Sequence, residues 1–502
     1  MNKLTSTQKE IVEKRGHLVV SASAGTGKTH TMVNKIVNEI EVNKDHKVIA
    51  AVTFTIKAAQ EIKERIKVDV SRHFIGTNNS FVIEEIVQPF IKDVYGPTYD
   101  IILSADYSTN FSSFEEGLEV VAQKATLGAY SDDKKNFIFE LAQDIVKRSK
   151  ACQLYLQAKY FKIYIDEYQD CDKSMHELFM FLAEKLDIET FIVGDDKQSI
   201  YIWRGAYPEA FKSIWRKDNF SKISLSDNFR SCQQIQNYSN LLCEETRVNY
   251  VETKQLENII WVNSTYNTWY QDVLQFIDNS KTTALLRFSN DNSKKGAEEL
   301  SSVGFECIHI PKIPLADITT ESAWIYNSIA KNYVLNHYSV YDFISEIPNE
   351  GENSKRKVKI ISDFLQRIKD SLYDSDGFFE NISGLGEYLN YSIEMRHVRK
   401  LQETLKNESF HVAFESERYQ NTSITFHSSK GLEFDQVIVF AEDYRLHDMS
   451  SIYNHYVAVT RAKNKLIIIK CDHWAASKFE ANLRGIFAAY GKSLEDMVYI
   501  SS

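Results

Sequence analysis

One stretch restricts the possible folds of this chain more than any other, namely His17–Ile40, with the sequence HLVVSASAGTGKTHTMVNKIVNEI. Residues 17–20, HLVV, are a short and largely apolar run that suits a buried strand. Residues 22–29 read A-x-x-x-x-G-K-T, which is the phosphate-loop pattern with Ala22 in place of the first glycine. Apolar residues then recur at helical spacing, so the loop opens an amphipathic helix.

The order strand, loop and helix predicts an anion site. Backbone N–H groups at the start of a helix, together with the positive end of its dipole, attract phosphate. Lys28 adds a point charge for the β- and γ-phosphates, and the Thr29 hydroxyl can ligate Mg²⁺. A serine- and alanine-rich turn before a surface helix is the alternative, but it does not require this order. The predicted phosphate-binding residues are Ala22, Ser23, Ala24, Gly25, Thr26, Gly27, Lys28 and Thr29.

Length and composition limit the classes of protein to consider. A chain of 502 residues should hold several domains, and 43% hydrophobic with 25% charged residues is ordinary for a globular protein. We find no apolar run long enough to span a membrane and no signal-peptide core. Six scattered cysteines argue against zinc and for a reducing, cytoplasmic location. The net charge of −10 disfavours non-specific DNA binding, but a local basic groove would suffice.

Two further apolar runs end in polar residues that suit phosphate chemistry. Residues 161–170, FKIYIDEYQD, lead along a predicted strand to Asp166 and Glu167. Ligands of open α/β sheets sit at such strand ends, where Asp166 can hold Mg²⁺ and Glu167 can orient and deprotonate a water. Residues 191–206, FIVGDDKQSIYIWRGA, place Gln198 to sense a γ-phosphate or position water. Trp203 offers a stacking platform for unpaired bases, although a lone tryptophan is more often part of a core.

Four other positions carry nucleotide-binding interpretations. Gln8 can form a bidentate pair with adenine, although a surface glutamine is equally compatible with the sequence. Phe229 and Arg230 suggest a ring against a nucleobase and a guanidinium on phosphate, with a structural salt bridge as the alternative. Glu433 can accept from a ribose hydroxyl. Arg461 suits an arginine finger that reaches a phosphate held by the other half of the protein.

The remaining segments carry weaker signals. Small polar residues at the ends of predicted strands, around 53–55, 76–81 and 425–428, suit contacts with a nucleic-acid backbone. Residues 82 to about 145 and 336 to about 412 look like mainly helical insertions without catalytic spacing. We expect these two segments to serve as structure or as partner surfaces.

In this order the blocks TFTIKAAQEI, DEYQD, GDDKQSIYIWRGA, NFR, KGLEFD and VAVTRA resemble the superfamily 1 DNA helicases of the UvrD type. The resemblance implies an α/β fold with two RecA-like P-loop NTPase domains and ATP in the cleft between them. Domain 1A would comprise 1–81 and 146–215, with insertion 1B at 82–145. Domain 2A would comprise 216–335 and 413–502, with insertion 2B at 336–412.

The same resemblance implies residue roles. It gives Gln8 to adenine, Lys28 and Thr29 to phosphate and Mg²⁺, and Asp166 and Glu167 to Mg²⁺ and the catalytic water. It also places Gln198, Arg230 and Arg461 at the γ-phosphate. Phe229 would lie against the base and Glu433 near the ribose. Single-stranded DNA would face Thr53, Thr77, Trp203 and His427. Asn79 stands where the family often has histidine, so that family contact is in doubt here.

Within that family the sequence further resembles the helicase-like B subunits of the Gabija anti-phage defence systems. The stretches FIGTNNSFVIEEI, KYFKIYIDEYQD and NHYVAVTRAK carry this likeness. It implies a bacterial cytoplasmic protein and a partner, the Gabija A subunit, an ATPase-domain and Toprim nuclease in a large hetero-oligomer.

We therefore expect a DNA-dependent ATPase or helicase subunit that closes on Mg-ATP and engages single-stranded DNA or DNA ends. A second hypothesis is a nucleotide or DNA-end sensor that licenses a partner nuclease with little unwinding, because both insertions are short. A small nucleotide kinase or GTPase would not need Gln198, Arg230 and Arg461 spread over two domains.

Overall fold

The computed structural model describes residues 4–132, 134–200, 205–207, 209–254, 256–318, 322–347 and 355–501. Two parallel β-sheets dominate the fold, and helices cover their faces. In each sheet the strands are rich in Val, Ile and Leu and are buried, as parallel strands covered on both sides must be. The predicted α/β class with two P-loop-type sheet domains is therefore correct.

The first sheet has six described strands in the order β3-β2-β6-β7-β1-β8, all parallel. The strands of this half, which include the separate pair β4 and β5, are β1 (Leu18–Ala22), β2 (Val48–Thr53), β3 (Phe74–Thr77), β4 (Ser104–Phe111), β5 (Thr126–Tyr130), β6 (Tyr160–Ile165), β7 (Glu189–Gly194) and β8 (Ser221–Leu225). The α-helices of this half are α1 (Ser6–Glu13), α2 (Lys28–Val42), α3 (Ile56–Arg65), α4 (Asn78–Val82), α5 (Gln88–Tyr95), α6 (Phe114–Lys124), α7 (Phe137–Arg148), α8 (Lys150–Lys159), α9 (Lys173–Glu184) and α10 (Glu209–Trp215).

The second sheet has seven described strands in the order β11-β12-β10-β13-β14-β9-β15, also parallel. The strands are β9 (Ile259–Ser264), β10 (Thr283–Arg287), β11 (Ile308–His309), β12 (Asn421–Thr425), β13 (Phe434–Phe440), β14 (Ala462–Cys471) and β15 (Tyr499–Ile500). The α-helices of this half are α11 (Gln233–Leu242), α12 (Trp269–Asp272), α13 (Asn290–Ser302), α14 (Ala323–Val334), α15 (Val340–Ser345), α16 (Lys355–Asp370), α17 (Ser375–Tyr388), α18 (Met395–Lys406), α19 (Met449–Val459) and α20 (Trp474–Ala488).

The two insertions differ in how they are built. In the first, β4 and β5 pair as a two-stranded parallel sheet beside α5, α6 and α7, and the segment shares its apolar core with the first sheet. The second is a helical cluster with a core of its own. That core includes α14, which lies before the expected start of 2B at residue 336. Strand β8 lies beyond residue 215, the expected end of 1A, yet it pairs with β1 in the first sheet.

The order of the strands determines where the sequence motifs meet. Strands β1, β6 and β7 are neighbours in the middle of the first sheet, so their carboxyl ends lie side by side. The phosphate loop, the acidic pair and the loop of Gln198 follow these three strands directly. Ligands bind at this edge of open α/β sheets, and the fold therefore brings together motifs that are up to about 170 residues apart in the sequence.

Candidate active site

The phosphate loop occupies the turn between β1 and α2, as predicted. Gly27 precedes the first residue of α2, and it has φ +77, a left-handed conformation that suits glycine. Gly25 has the same φ, and a Cβ there would lie 2.5 Å from Asn228 Oδ1. The loop can therefore pack directly against the segment that follows β8 only because it has no side chain at position 25.

Lys28 meets the acidic pair at this edge of the sheet. Its Nζ lies 3.0 Å from Glu167 Oε1. Burial alone would lower the pKa of Lys28, but the charges of Glu167, Asp195 and Asp166 outweigh burial and raise it. Burial alone would likewise raise the pKa of Glu167, but Lys28 and Lys430 lower that pKa to about 2. The two side chains are therefore an ion pair across the predicted phosphate position.

Among the described residues Asp166 forms no ion pair of its own, and the charge of Lys28 offsets its burial only in part. It is 5% exposed, and its Oδ1 accepts a hydrogen bond of 2.8 Å from the Glu167 N–H. Burial and the neighbouring charge of Glu167 raise its pKa to about 7. Glu167 itself has φ +49, a left-handed backbone that costs a non-glycine residue about 1–2 kcal/mol. Strain of this kind is concentrated at functional sites.

A network of hydrogen bonds joins the acidic pair to the Gln198 loop. Gln169 donates from Nε2 to the Glu167 carboxylate, and its Oε1 accepts from the Asp195 N–H at 2.9 Å. Asp195 is fully buried, and its Oδ2 accepts from Gln198 Nε2 at 2.8 Å. Lys197 lies 2.6 Å from the other oxygen of Asp195. Gln198 is therefore held by the strand end beside the one that carries Glu167.

The segment after β8 fits against the phosphate loop. Asn228 donates from Nδ2 to the Ala24 carbonyl at 3.0 Å, and the Phe229 N–H donates to the Gly25 carbonyl at 2.9 Å. The Phe229 ring is 63% exposed, so it is available to a flat ligand. Arg230 donates from Nε to Glu433 Oε2 at 2.8 Å, and Lys463 pairs with the other oxygen of Glu433. Arg230 and Glu433 therefore contact each other in this structure.

Arg461 is buried without an acidic partner among the described residues. Its guanidinium is 1% exposed and donates to the carbonyls of Val457 and Leu432 and to the Thr460 hydroxyl. Burial and the nearby charge of Arg230 lower its pKa to about 10. A buried cation bonded only to neutral oxygens is costly unless an anion joins it.

Two residues of the second half, Lys430 and Tyr456, were not singled out by the sequence analysis, although they reach the first half. Lys430 lies 2.6 Å from Asp170 Oδ2 and also donates to the Gln198 carbonyl at 3.1 Å. Despite Lys430, burial raises the pKa of Asp170 to about 6. Tyr456 accepts from the Ala24 N–H at 3.2 Å. Lys430 belongs to the KGLEFD block, which was the only available signal for it.

The two remaining residues that were predicted to bind nucleotide, Gln8 and Thr29, lie next to the phosphate loop. Gln8 is buried, donates from Nε2 to the Thr26 carbonyl at 3.4 Å, and accepts from the Thr5 N–H at 3.0 Å. Its amide therefore caps α1 and touches the phosphate loop at once. Thr29 is the second residue of α2, one position after Lys28.

The predicted DNA-facing residues lie at strand ends on both sheets. Thr53 ends β2, is buried, and donates to the Thr55 carbonyl at 2.9 Å, while Thr77 ends β3 and caps α4. His427 follows β12, and its ring packs against Phe426. Trp203 lies outside the described residues.

Three aromatic side chains that the sequence analysis missed lie on the same edge of the second sheet as His427. Phe288 follows β10, Trp474 begins α20 just after β14, and Tyr266 follows β9. They are 51%, 60% and 40% exposed, and the Phe288 ring centroid lies 6.1 Å from that of His427. Because β12, β10, β13, β14 and β9 are consecutive neighbours, these four rings form a row along one edge of the sheet. We call it the aromatic row.

Comparisons with known proteins agree with this arrangement. A family described as AAA domain matches residues 8–204, and a UvrD-like helicase C-terminal domain matches residues 422–469. Gabija protein GajB of Bacillus cereus (strain VD045) is 41% identical over 472 residues, which cover 92% of this chain and 94% of that protein.

Two helicases are similar over a smaller part. ATP-dependent DNA helicase Rep of Escherichia coli (strain K12) is 28% identical over 48% of this chain and 43% of its own length. DNA helicase II of Haemophilus influenzae is 28% identical over 48% of this chain and 40% of its own length. The 41% identity along nearly the whole chain, together with two sheet domains that meet at a phosphate loop, places this chain in the GajB family of UvrD-like, ATP-hydrolysing superfamily 1 helicases.

Proposed function

We propose that this protein hydrolyses ATP between domains 1A and 2A. The observation that carries the proposal is the pair of cations around the phosphate loop. Lys28 lies 3.0 Å from Glu167, and Arg461 is buried with only neutral oxygens as hydrogen-bond partners among the described residues. A triphosphate between these side chains would supply the anion that both cations need.

The proposed roles follow from an exchange of partners. When Lys28 turns to the β- and γ-phosphates, Glu167 loses the partner that holds its pKa down. Its carboxylate then becomes a stronger base, suited to accept a proton from the attacking water. Gln198 positions that water, and Arg230 and Arg461 stabilise the charge on the transferred phosphoryl group. Gln8 and Phe229 would hold the adenine, and Glu433 the ribose.

The residues present also fit a divalent cation. Asp166 is a buried carboxylate whose pKa is raised by burial and by the charge of Glu167, and Thr29 is the second residue of the helix that follows the phosphate loop. Among the described residues no group of three or more His, Cys, Asp or Glu side chains has metal-binding geometry. Mg²⁺ needs no such group, since it is commonly held by one or two protein oxygens together with substrate phosphates. The ion would neutralise charge on the phosphates.

We also propose that single-stranded DNA runs along the aromatic row. Successive bases can stack on exposed aromatic rings, at about 1–3 kcal/mol for each base, without regard to sequence. Three exposed rings follow neighbouring strands of one sheet, and the half-buried His427 beside them was predicted to contact DNA from its sequence motif. Thr77 would continue the path across domain 1A, with its hydroxyl group near the backbone of the strand. Thr53 is buried and donates to the Thr55 carbonyl, so it would support this strand end from behind rather than contact DNA.

A second candidate function is favoured by one groove. A cavity of about 1130 Å³ lies between domain 1A and the helical insertion, and its lining includes Thr77 and Asn79. Acidic side chains outnumber basic ones around it, which does not suit duplex DNA. The acidic residues are Glu61, Glu64, Glu346, Glu415 and Glu417, and the basic ones are Lys57, Lys331 and Arg418. This composition supports a nucleotide or DNA-end sensor that regulates a nuclease with little unwinding.

The partner and setting are part of the same proposal. Because GajB of Bacillus cereus is named as a Gabija protein, we propose an anti-phage role with the A-subunit nuclease in a hetero-oligomer, in the bacterial cytoplasm. In the part of the chain that the structure describes, no helix has the length and apolarity to cross a bilayer.

Steady-state ATPase measurements on Lys28→Ala and Glu167→Gln test the proposed chemistry. We expect both to lower kcat at least 100-fold, because each removes a group that acts on the reacting phosphate. Lys44→Ala, on the exposed turn after α2, is the matched control and should hydrolyse ATP at the wild-type rate. Wild-type hydrolysis by either site variant contradicts the assignment. A strand-displacement assay beside it separates the two candidates, since hydrolysis without displacement supports the sensor.

A further inference from the structure

A tyrosine of domain 2A forms a hydrogen-bond bridge between two motifs of domain 1A. Tyr456 lies on α19 and is 2% exposed. Its hydroxyl accepts from the N–H of Ala24 in the phosphate loop at 3.2 Å and donates to Asp195 Oδ2 at 3.4 Å. The bridge is thus a contact between domains at the point where the nucleotide phosphates are expected.

The Asp195 end of this bridge leads to the residues that we propose for the attacking water. The same oxygen of Asp195 accepts from Gln198, and the Asp195 N–H donates to Gln169, which in turn donates to Glu167. A continuous hydrogen-bonded chain therefore runs from the phosphate loop through Tyr456 to Gln198 and Glu167. Each member is within two steps of the Tyr456 hydroxyl except Glu167, which is three steps away.

The backbone beneath the chain leaves no spare room for its central amide. Gly194 ends β7, and a Cβ at that position would lie 2.7 Å from Gln169 Oε1. Gln169 can therefore reach the Asp195 N–H only because residue 194 has no side chain. Groups packed this closely transmit a displacement, since protein interiors are dense and deform little.

The direction of each hydrogen bond is determined by chemistry. Burial and the charge of Asp195 raise the pKa of Tyr456, so its hydroxyl keeps its proton. A backbone N–H can only donate and a carboxylate can only accept, so the phenol must accept from Ala24 and donate to Asp195. At 3.4 Å the second bond is near the outer limit, and a small shift of α19 towards or away from domain 1A makes or breaks it.

We propose that the Tyr456 hydroxyl is a positioning group that couples the closure of domain 2A onto the phosphate loop to the orientation of Gln198 and Glu167. The inference rests on the proposed ATP hydrolysis and deepens it. When the domains are closed, Asp195 has the phenol as a donor and presents Gln198 in one orientation. When they separate, Asp195 loses that donor, and hydrolysis is slowed until both motifs and the nucleotide are in place.

Packing alone does not account for the hydroxyl. The Tyr456 ring belongs to the apolar core of domain 2A, and phenylalanine would fill the same space. A buried hydroxyl costs free energy unless it is hydrogen-bonded. The two hydrogen bonds of the Tyr456 hydroxyl offset that cost. Tyr453, one turn earlier on α19, is also buried, and its hydroxyl has no hydrogen-bond partner among the described residues. The same helix therefore supplies a matched control.

The test compares Tyr456→Phe with Tyr453→Phe by steady-state ATPase kinetics and thermal melting. We expect Tyr456→Phe to lower kcat about tenfold, the effect of one lost hydrogen bond to a charged group. KM for ATP should stay within about twofold, because the phosphate-binding groups are untouched. Tyr453→Phe should keep the wild-type kcat. A wild-type kcat for Tyr456→Phe overturns the inference.

A double-mutant cycle shows whether Tyr456 acts through Gln198. If it does, Tyr456→Phe should have little further effect on kcat in a Gln198→Ala background. Multiplicative losses in the double variant indicate an independent structural role and also overturn the inference. The failures are separable, because ATP hydrolysis by Lys28→Ala contradicts the proposed function itself, whereas the Tyr456 results concern only the coupling.

Discussion

Gly25 offers a direct test of how the phosphate loop holds Arg230. Its φ is +77, and an added Cβ would lie 2.5 Å from Asn228 Oδ1 and 2.7 Å from Arg230 Cβ. Asn228 cannot easily give way, because its Nδ2 donates to the Ala24 carbonyl while its Oδ1 accepts from the N–H groups of Arg230 and Ser231. Arg230 Cβ is attached to the backbone and is equally constrained.

Gly25→Ala should therefore impair both stability and catalysis. The left-handed backbone costs alanine about 1–2 kcal/mol, and overpacking adds about 1–3 kcal/mol to the loss in free energy of unfolding. Asn228 Oδ1 must move by about 0.9 Å for its contact to lengthen from 2.5 Å to an ordinary 3.4 Å. Since a shift of about 1 Å in catalytic groups can cost about 100-fold, we expect kcat to fall by that order.

Gly16→Ala is the matched control. Gly16 has φ +80, but a Cβ there has nothing within 4 Å among the described residues. It should lose about 1–2 kcal/mol from backbone strain and keep kcat within about twofold of wild type. ATPase rates and melting temperatures of Gly25→Ala and Gly16→Ala separate the effect of the contact from the effect of backbone strain. If Gly25→Ala retains the kcat of Gly16→Ala, the contact with Asn228 and Arg230 does not determine the catalytic geometry, and the reasoning is refuted.

Two further predictions concern the insertions and the aromatic row. Burial and a hydrogen bond with Asp106 of 1B raise the pKa of Glu394 from 4.5 to about 7, so its stabilising contribution is complete below about pH 4.5 and is lost as pH rises through about 7. Glu394→Gln cannot ionise, so its free energy of unfolding at pH 8 should exceed that of the wild type by about 1–2 kcal/mol after solvent screening. Thermal melts should show no such gain at pH 5, and equal gains at both pH values would contradict this prediction. Phe288→Ala and Trp474→Ala should each weaken binding of a single-stranded oligonucleotide at least fivefold in fluorescence anisotropy, whereas Tyr373→Ala, exposed on the 2B insertion, should not; equal affinities for all three variants would exclude the row as a DNA path.

The sequence predicted the parts of the site that follow directly from local patterns. An apolar run before Asp166 and another before Gln198 indicated strand ends, and both lie at the carboxyl edge of one parallel sheet beside the phosphate loop. Such edges align by topology, so local patterns suffice to bring these residues together. The two-domain α/β fold followed from the same patterns and from the family resemblance.

The contacts between the domains could not be predicted in this way. Lys430 and Asp170 are separated by 260 positions and meet only when the two sheets are docked. Nothing in the sequence around Tyr456 distinguishes a hydrogen-bonded hydroxyl from one without a partner. The limits of 2B could not be predicted from the sequence either, because α14 has the apolar pattern of any buried helix. Only its packing assigns α14 to the helical cluster.

The charges around the phosphate loop explain why two predicted nucleotide contacts differ from the contacts that the structure shows. Glu433 was predicted to meet a ribose and Arg230 a phosphate, yet in this structure they pair with each other at 2.8 Å. Lys28 and Glu167 are paired in the same way. Under the proposed function a nucleotide triphosphate attracts both cations, so each leaves its carboxylate. One oxygen of Glu433 becomes free to accept from a hydroxyl while Lys463 keeps the other, and Glu167 becomes free to act as a base. The observed pairs then keep both cations in place at little cost until the phosphates arrive. Arg461 has no carboxylate partner among the described residues, so the site is incomplete without the phosphates.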